Sequence, residues 1–142
     1  MPGIKKILFL CSGNSARSQM AEGLMKQLSH GEWEVQSAGI FPSYVHPLAI
    51  RVMEEAGIDI SEQTSKSMDL FLEDHFDYMI TLCEHTAKFC PTFKGQGKRL
   101  NWSFDDPAAA VGTIEERLVV FRRVRDEVKA QLETFLKPDA SG

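Results

Sequence analysis

A four-stranded parallel β-sheet flanked by helices on both faces is the fold class that this sequence predicts, and three observations predict it. The first strand, 4–10, carries the continuous apolar run Ile7-Leu8-Phe9-Leu10, as expected of a strand buried on both faces of a parallel sheet. Strand-like stretches then alternate with helical ones, the order that gives a parallel sheet covered by helices. The chain has 142 residues, 43% of them hydrophobic, enough for one domain with a proper core and too few for two.

After the strand 4–10, the stretch 15–29 reads as a helix. Met20, Leu24 and Leu28 recur every four residues, and Gly31 follows as a stop. Trp33, Val35 and Ser37 alternate in a second strand that ends at Gly39. Pro47 opens a second helix lined by Leu48, Val52 and Ala56, and Gly57 ends it. The third strand is 77–82, and 99–104 reads as a fourth. The last helix starts with a T-x-x-E capping box, Thr113 to Glu116. Its apolar stripe is Leu118, Phe121, Val124, Val128, Leu132 and Phe135. One domain over 1–136 and a polar tail over 137–142 are expected, with no repeat or low-complexity tract.

The composition excludes several classes. The net charge is −4 and Lys and Arg are spread along the chain, which argues against a nucleic-acid footprint. No apolar run approaches the ~20 residues of a membrane helix. The first residues lack the pattern of a signal peptide, so a cytoplasmic protein is expected. Three cysteines, Cys11, Cys83 and Cys90, are then no disulfide framework. They leave inert buried thiols, a metal site or redox catalysis.

In parallel sheets ligands bind beyond the carboxyl ends of the strands. Cys11, Cys83 and Asp105-Asp106 each follow a strand end, so three distant stretches are expected to meet at one edge. The stretch "LCSGNSARS" carries C-x5-R-S between a strand and a helix. Ser12, Gly13, Asn14, Ser15 and Ala16 can curl so that backbone N–H groups converge on an oxyanion. Gly13 permits a close approach, and Asn14 tolerates a left-handed conformation. The following helix directs its positive end at the same place, and Arg17 adds a fork that grips two oxygens. The same field favours a thiolate at Cys11, and Ser18 can donate a hydrogen bond to the sulfur. A Gly-Asn turn holding a buried cysteine is the bland alternative.

Cys83 and Cys90 have six residues between them, a poor spacing for zinc, and His85 is more simply a polar turn residue. Two inert thiols and a thiol relay remain. Reduction of an oxyanion takes two electrons, which a dithiol supplies on closing to a disulfide. The stretch 84–89 lacks apolar periodicity, which suits a segment that moves.

"FLCSGNSARSQMAEG" resembles the active-site loop of the low-molecular-weight protein tyrosine phosphatase fold, and Arg17 to Gly23 is closer to its arsenate reductase branch. The resemblance continues through "SAGI", "DIS", "TLC", "FDDPA" and "FRRVRDE". It implies a doubly covered, Rossmann-like sheet and an arsenate reductase recycled by thioredoxin, with no bound cofactor. It implies that Cys11 attacks arsenate, Cys83 resolves the adduct and Cys90 carries the disulfide onward. Asp106, placed before Pro107 and so extended, becomes the general acid, while Asp105 stays structural. Phosphate or sulfate can occupy such a site.

The alanines at 108–110 stand where the tyrosine phosphatases carry aromatics, which fits a small inorganic substrate. Some members bind potassium near the loop. Asn14, Glu22 and Ser37 match three ligand positions, but the fourth is Lys66, so no metal is expected. The runner-up is a phosphatase acting on phosphotyrosine or small phosphoesters, and a third reading is a thiol redox sensor. Nothing demands more than a monomer.

Overall fold

The computed structural model describes residues 4–83 and 95–137. Cys90, the stretch 84–89 and the tail beyond Lys137 lie outside the described residues. The described elements run β1 (Lys5–Cys11), α1 (Arg17–Leu28), β2 (Trp33–Gly39), α2 (Pro47–Glu55), β3 (His75–Thr81), β4 (Gly95–Asn101) and α3 (Ile114–Leu136). Short 3₁₀ turns occupy Met68–Phe71 and Pro107–Ala109. The four strands are parallel in the order β2-β1-β3-β4. The expected fold class is therefore the observed one.

β1 owes its central place to its composition. Every residue from Ile7 to Cys11 is buried, and successive side chains serve opposite faces. Ile7, Phe9 and Cys11 join a core with α1, α2 and α3. Leu8 and Leu10 join a smaller cluster with Ala38, Phe76 and Met79, covered by Met68 and Phe71 of the first 3₁₀ turn. Both faces are thus covered, and among the described residues the three α-helices lie on one of them. α3 supplies Leu118, Phe121, Val124, Val128 and Leu132, all fully buried. Each such side chain contributes about 1.5–3 kcal/mol relative to exposure. The capping box at its start is present, with both Thr113–Glu116 bonds at 3.1 Å.

The fourth strand is displaced from the expected 99–104. Its ladder with β3 runs from His75↔Gly95 to Thr81↔Asn101. Beyond it, the Trp102 and Phe104 amides still donate to the Thr81 and Leu82 carbonyls. β4 is an edge strand, so one side is solvated and its sequence, GQGKRLN, carries no apolar run. The apolar residues just after it misplace the strand in a reading by hydrophobicity.

The register brings the strand ends together, with Cys11 opposite Gly39 and Leu10 opposite Thr81. Gly39 must be glycine. A Cβ there would lie 2.8 Å from Asn14 N and Ser12 O and 2.9 Å from Cys11 O. The end of β2 thus presses directly on the back of the loop that follows β1.

Candidate active site

The loop from Ser12 to Ala16 joins β1 to α1 and is held from outside by its carbonyls. Ser12 O accepts from Phe41 N at 2.8 Å, and Gly13 O accepts from Ser43 N at 3.2 Å and Ser65 Oγ at 3.1 Å. Asn14 O accepts from Gln19 Nε2 at 3.0 Å, and Ser15 O from His46 N at 3.0 Å. In a trans peptide the next N–H points opposite to the carbonyl. The N–H groups of Gly13, Asn14, Ser15 and Ala16 are therefore turned away from these anchors, toward the hollow of the loop. Asn14 permits the turn with a φ of 46°, in the left-handed region. α1 has no side-chain cap, so its first N–H groups and its positive end face the same hollow.

Cys11 is buried, and its sulfur lies 2.8 Å from Ser18 Oγ. Ser18 Oγ also accepts from Asn14 Nδ2 at 2.8 Å, which directs the serine's own proton at the sulfur. The second Asn14 Nδ2 proton goes to Ser37 Oγ at 2.9 Å, and Ser37 donates to Glu22 Oε1 at 2.5 Å. Asn14 Oδ1 accepts from Lys66 N at 2.7 Å. Asn14, Ser18 and Ser37 are all 0% exposed, and every polar group of the amide is used. The chain of bonds fixes one proton direction, with the Ser18 hydroxyl donating toward the sulfur.

Arg17 is buried at the base of the loop. Its Nη1 donates to Phe104 O at 3.2 Å, and its Nη2 lies 3.6 Å from Asp106 Oδ2. These contacts fix the guanidinium between the Phe104 carbonyl and the Asp106 carboxyl. Asp106 Oδ1 caps the following 3₁₀ turn through Ala108 N at 3.0 Å, leaving the half-exposed carboxyl beside Arg17. Asp105 turns away to Arg123 of α3, at 3.1 Å. Cys83 lies two residues beyond the end of β3, and its sulfur lies 3.7 Å from Ser12 Oγ. Three sheet ends thus supply one site: β1 brings Cys11 and the loop, β3 brings Cys83, and β4 leads to Asp106.

The residues matching a potassium site do not fit that ion. Glu22 is buried and already faces two ammonium groups, Lys26 Nζ at 2.6 Å and Lys66 Nζ at 3.8 Å. Lys66 Nζ also donates to Thr64 O at 2.9 Å. Burial pushes the Lys66 ammonium below its ordinary range, and the nearby Glu22 carboxylate opposes that shift. With Asn14 and Ser37 committed to hydrogen bonds, the fixed ammonium supplies the local positive charge. Thermal unfolding is therefore expected at the same temperature in potassium chloride and in sodium chloride of equal concentration. A higher midpoint in potassium would show that the ion enters and stabilises the native state.

Sequence reasoning missed three contributors. The Phe104 carbonyl that holds Arg17 carries no side-chain pattern. Gln19, 0% exposed, bonds Asn14 O and Thr64 O and accepts from Gln63, a buried bracket that links the loop to a distant segment. His46 caps α2 and holds Ser15 O. Pro47 at the first helical position marks residue 46 as the cap, but histidine is not among the usual cap residues.

The low molecular weight phosphotyrosine protein phosphatase family matches residues 6–140. An arsenate reductase of Halalkalibacterium halodurans is 53% identical over 131 residues, which are 92% of this chain and 94% of that protein. A solved arsenate reductase in a phosphate-binding state superposes with a TM-score of 0.80 at 43% identity, covering 92% of this chain and 95% of that one. A thioredoxin-dependent arsenate reductase of Corynebacterium glutamicum superposes with a TM-score of 0.67 at 26% identity, covering 92% of this chain and 61% of its own.

Proposed function

The chain belongs to the low molecular weight phosphotyrosine protein phosphatase family, and from that premise we propose that it is an arsenate reductase working through a cysteine relay recycled by thioredoxin. The observation that carries this reading is a second thiol, Cys83, 3.7 Å from Ser12 Oγ at the edge of the Cys11 loop. A phosphatase has no use for it. Relatives 44–53% identical over more than nine-tenths of this chain are arsenate reductases, which supports the substrate class.

The steps balance in atoms and electrons. The Cys11 thiolate attacks arsenic, and the departing arsenate hydroxyl takes a proton from Asp106 and leaves as water. Backbone N–H groups and the Arg17 fork stabilise the charge on the remaining oxygens. Cys83 then attacks Cys11 Sγ. The new S–S bond forms as the S–As bond breaks, and that electron pair stays on arsenic, taking it from As(V) to As(III) as arsenite. Cys90 attacks Cys83 in turn, which frees the Cys11 thiolate and leaves an 83–90 disulfide. A dithiol of the thioredoxin class reduces this disulfide by exchange.

The test is consumption of NADPH in the presence of thioredoxin, thioredoxin reductase and arsenate, with p-nitrophenyl phosphate hydrolysis measured alongside. Arsenate-dependent turnover with slow ester hydrolysis is expected. Fast ester hydrolysis with no arsenate-dependent oxidation would make the protein a phosphatase instead.

A further inference from the structure

We infer that His46, in its neutral form, is a positioning residue for the oxyanion loop, coupling the start of α2 to the peptide that presents the Ala16 N–H. The imidazole Nδ1 accepts from Leu48 N at 3.1 Å, the bond that caps α2. The same residue's backbone N–H donates to Ser15 O at 3.0 Å. One residue therefore fixes the first turn of a helix and the last peptide of the loop. The cap holds His46 at a φ of −65° and a ψ of 129°, which aims its N–H at Ser15. Phe41 N and Ser43 N, which hold Ser12 O and Gly13 O, lie on the same segment leading into His46.

This cap has a property that an asparagine or serine cap lacks. A protonated imidazole carries a hydrogen on Nδ1 and cannot accept from Leu48 N. Acidification through the titration of His46 thus removes the cap and loosens the anchor on Ser15 O. The ring is half-buried, packed on Phe121 of α3 at 4.8 Å between centroids and on Tyr44 at 6.2 Å. The charged groups around it are Arg117 of α3 and Asp106 ahead of its 3₁₀ turn. Burial and Arg117 push the imidazole below its ordinary value, and Asp106 opposes them in part. A lowered value in the folded state means that folding favours the neutral ring. The stability it contributes is present above the ordinary value of 6.5 and is lost as pH falls through the folded one. The working form is the one present at neutral pH.

The proposal rests on the loop's binding an oxyanion and not on which oxyanion the protein turns over. Its test is therefore binding of sulfate, which does not itself titrate between about pH 5 and pH 8, the range in which histidine changes charge. The full chain is compared with His46→Asn, which keeps a cap, and His46→Ala, which removes it. In the wild type, the Leu48 and Ala16 amide resonances are expected to shift with the same midpoint as the His46 ring proton. Sulfate affinity is expected to fall about fivefold across that midpoint, the scale of one lost helix cap. His46→Asn should bind as the neutral wild type does and lack the step, and His46→Ala should bind weakly throughout.

Four results would overturn the proposal. A Leu48 amide that ignores the ring titration would mean that the cap does not respond. Sulfate binding that strengthens as His46 protonates would mean that its charge governs rather than its cap. Equal binding by all three proteins at every pH would sink the coupling alone, whereas no binding by any of them would sink the oxyanion reading and the coupling with it.

Discussion

Cys11→Ser is expected to give a folded protein that binds sulfate but neither reduces arsenate nor hydrolyses p-nitrophenyl phosphate. The substitution exchanges sulfur for oxygen at a position 2% exposed, so packing changes little. The chemistry changes greatly. The loop, the start of α1 and Ser18 Oγ at 2.8 Å are arranged to hold an anionic sulfur, and a serine hydroxyl keeps its proton at neutral pH. Among the described residues Ser18 Oγ is the group bonded to it, and that oxygen already accepts from Asn14 Nδ2 and turns its own proton toward the nucleophile, so it does not act as a base. A loss of at least about 10⁴-fold in both activities follows, the scale of removing an essential nucleophile. Retained sulfate binding would separate the nucleophile from the cradle. Arsenate reduction above about 1% of the wild-type rate would remove Cys11 from the reaction.

Cys83→Ser is expected to abolish arsenate-dependent NADPH oxidation while leaving ester hydrolysis within about threefold of the wild type. The two reactions share the first step and differ in the second. Hydrolysis of a phosphoenzyme needs only water at the Cys11 adduct, whereas reduction needs two electrons from a second thiol. The Cys83 sulfur lies 3.7 Å from Ser12 Oγ, and the Ser12 carbonyl is independently held by Phe41 N. Cys90→Ser should differ from it by releasing one arsenite per protein and then stopping, because the first disulfide still forms and cannot be passed on. Rapid-quench measurement of arsenite in a single turnover distinguishes the two variants. A Cys83→Ser protein that still turns over arsenate would place the resolving thiol elsewhere.

What the sequence determined by itself was local chemistry and the order of elements. Ile7–Leu10 announces a strand buried on both faces, and Thr113 with Glu116 marks the start of α3, because caps and apolar runs act within a few residues. C-x5-R-S contains its own nucleophile, turn residues and cation, so the loop was legible as an oxyanion cradle. The strand ends that bring Cys83 and Asp106 to it follow from the general geometry of parallel sheets. The tertiary structure alone decided what holds that cradle open. The anchors on Ser12, Gly13 and Ser15 come from backbone amides at 41, 43 and 46, and backbone amides carry no residue-type pattern. β4 was misplaced because an edge strand needs no apolar run, and the clamp of Gly39 against the loop is a contact between segments over twenty residues apart. His46 shows the difference most plainly. As a letter before Pro47 it is an unusual cap, and only the folded chain, by setting its amide on Ser15 and its ring on Phe121, makes it part of the site.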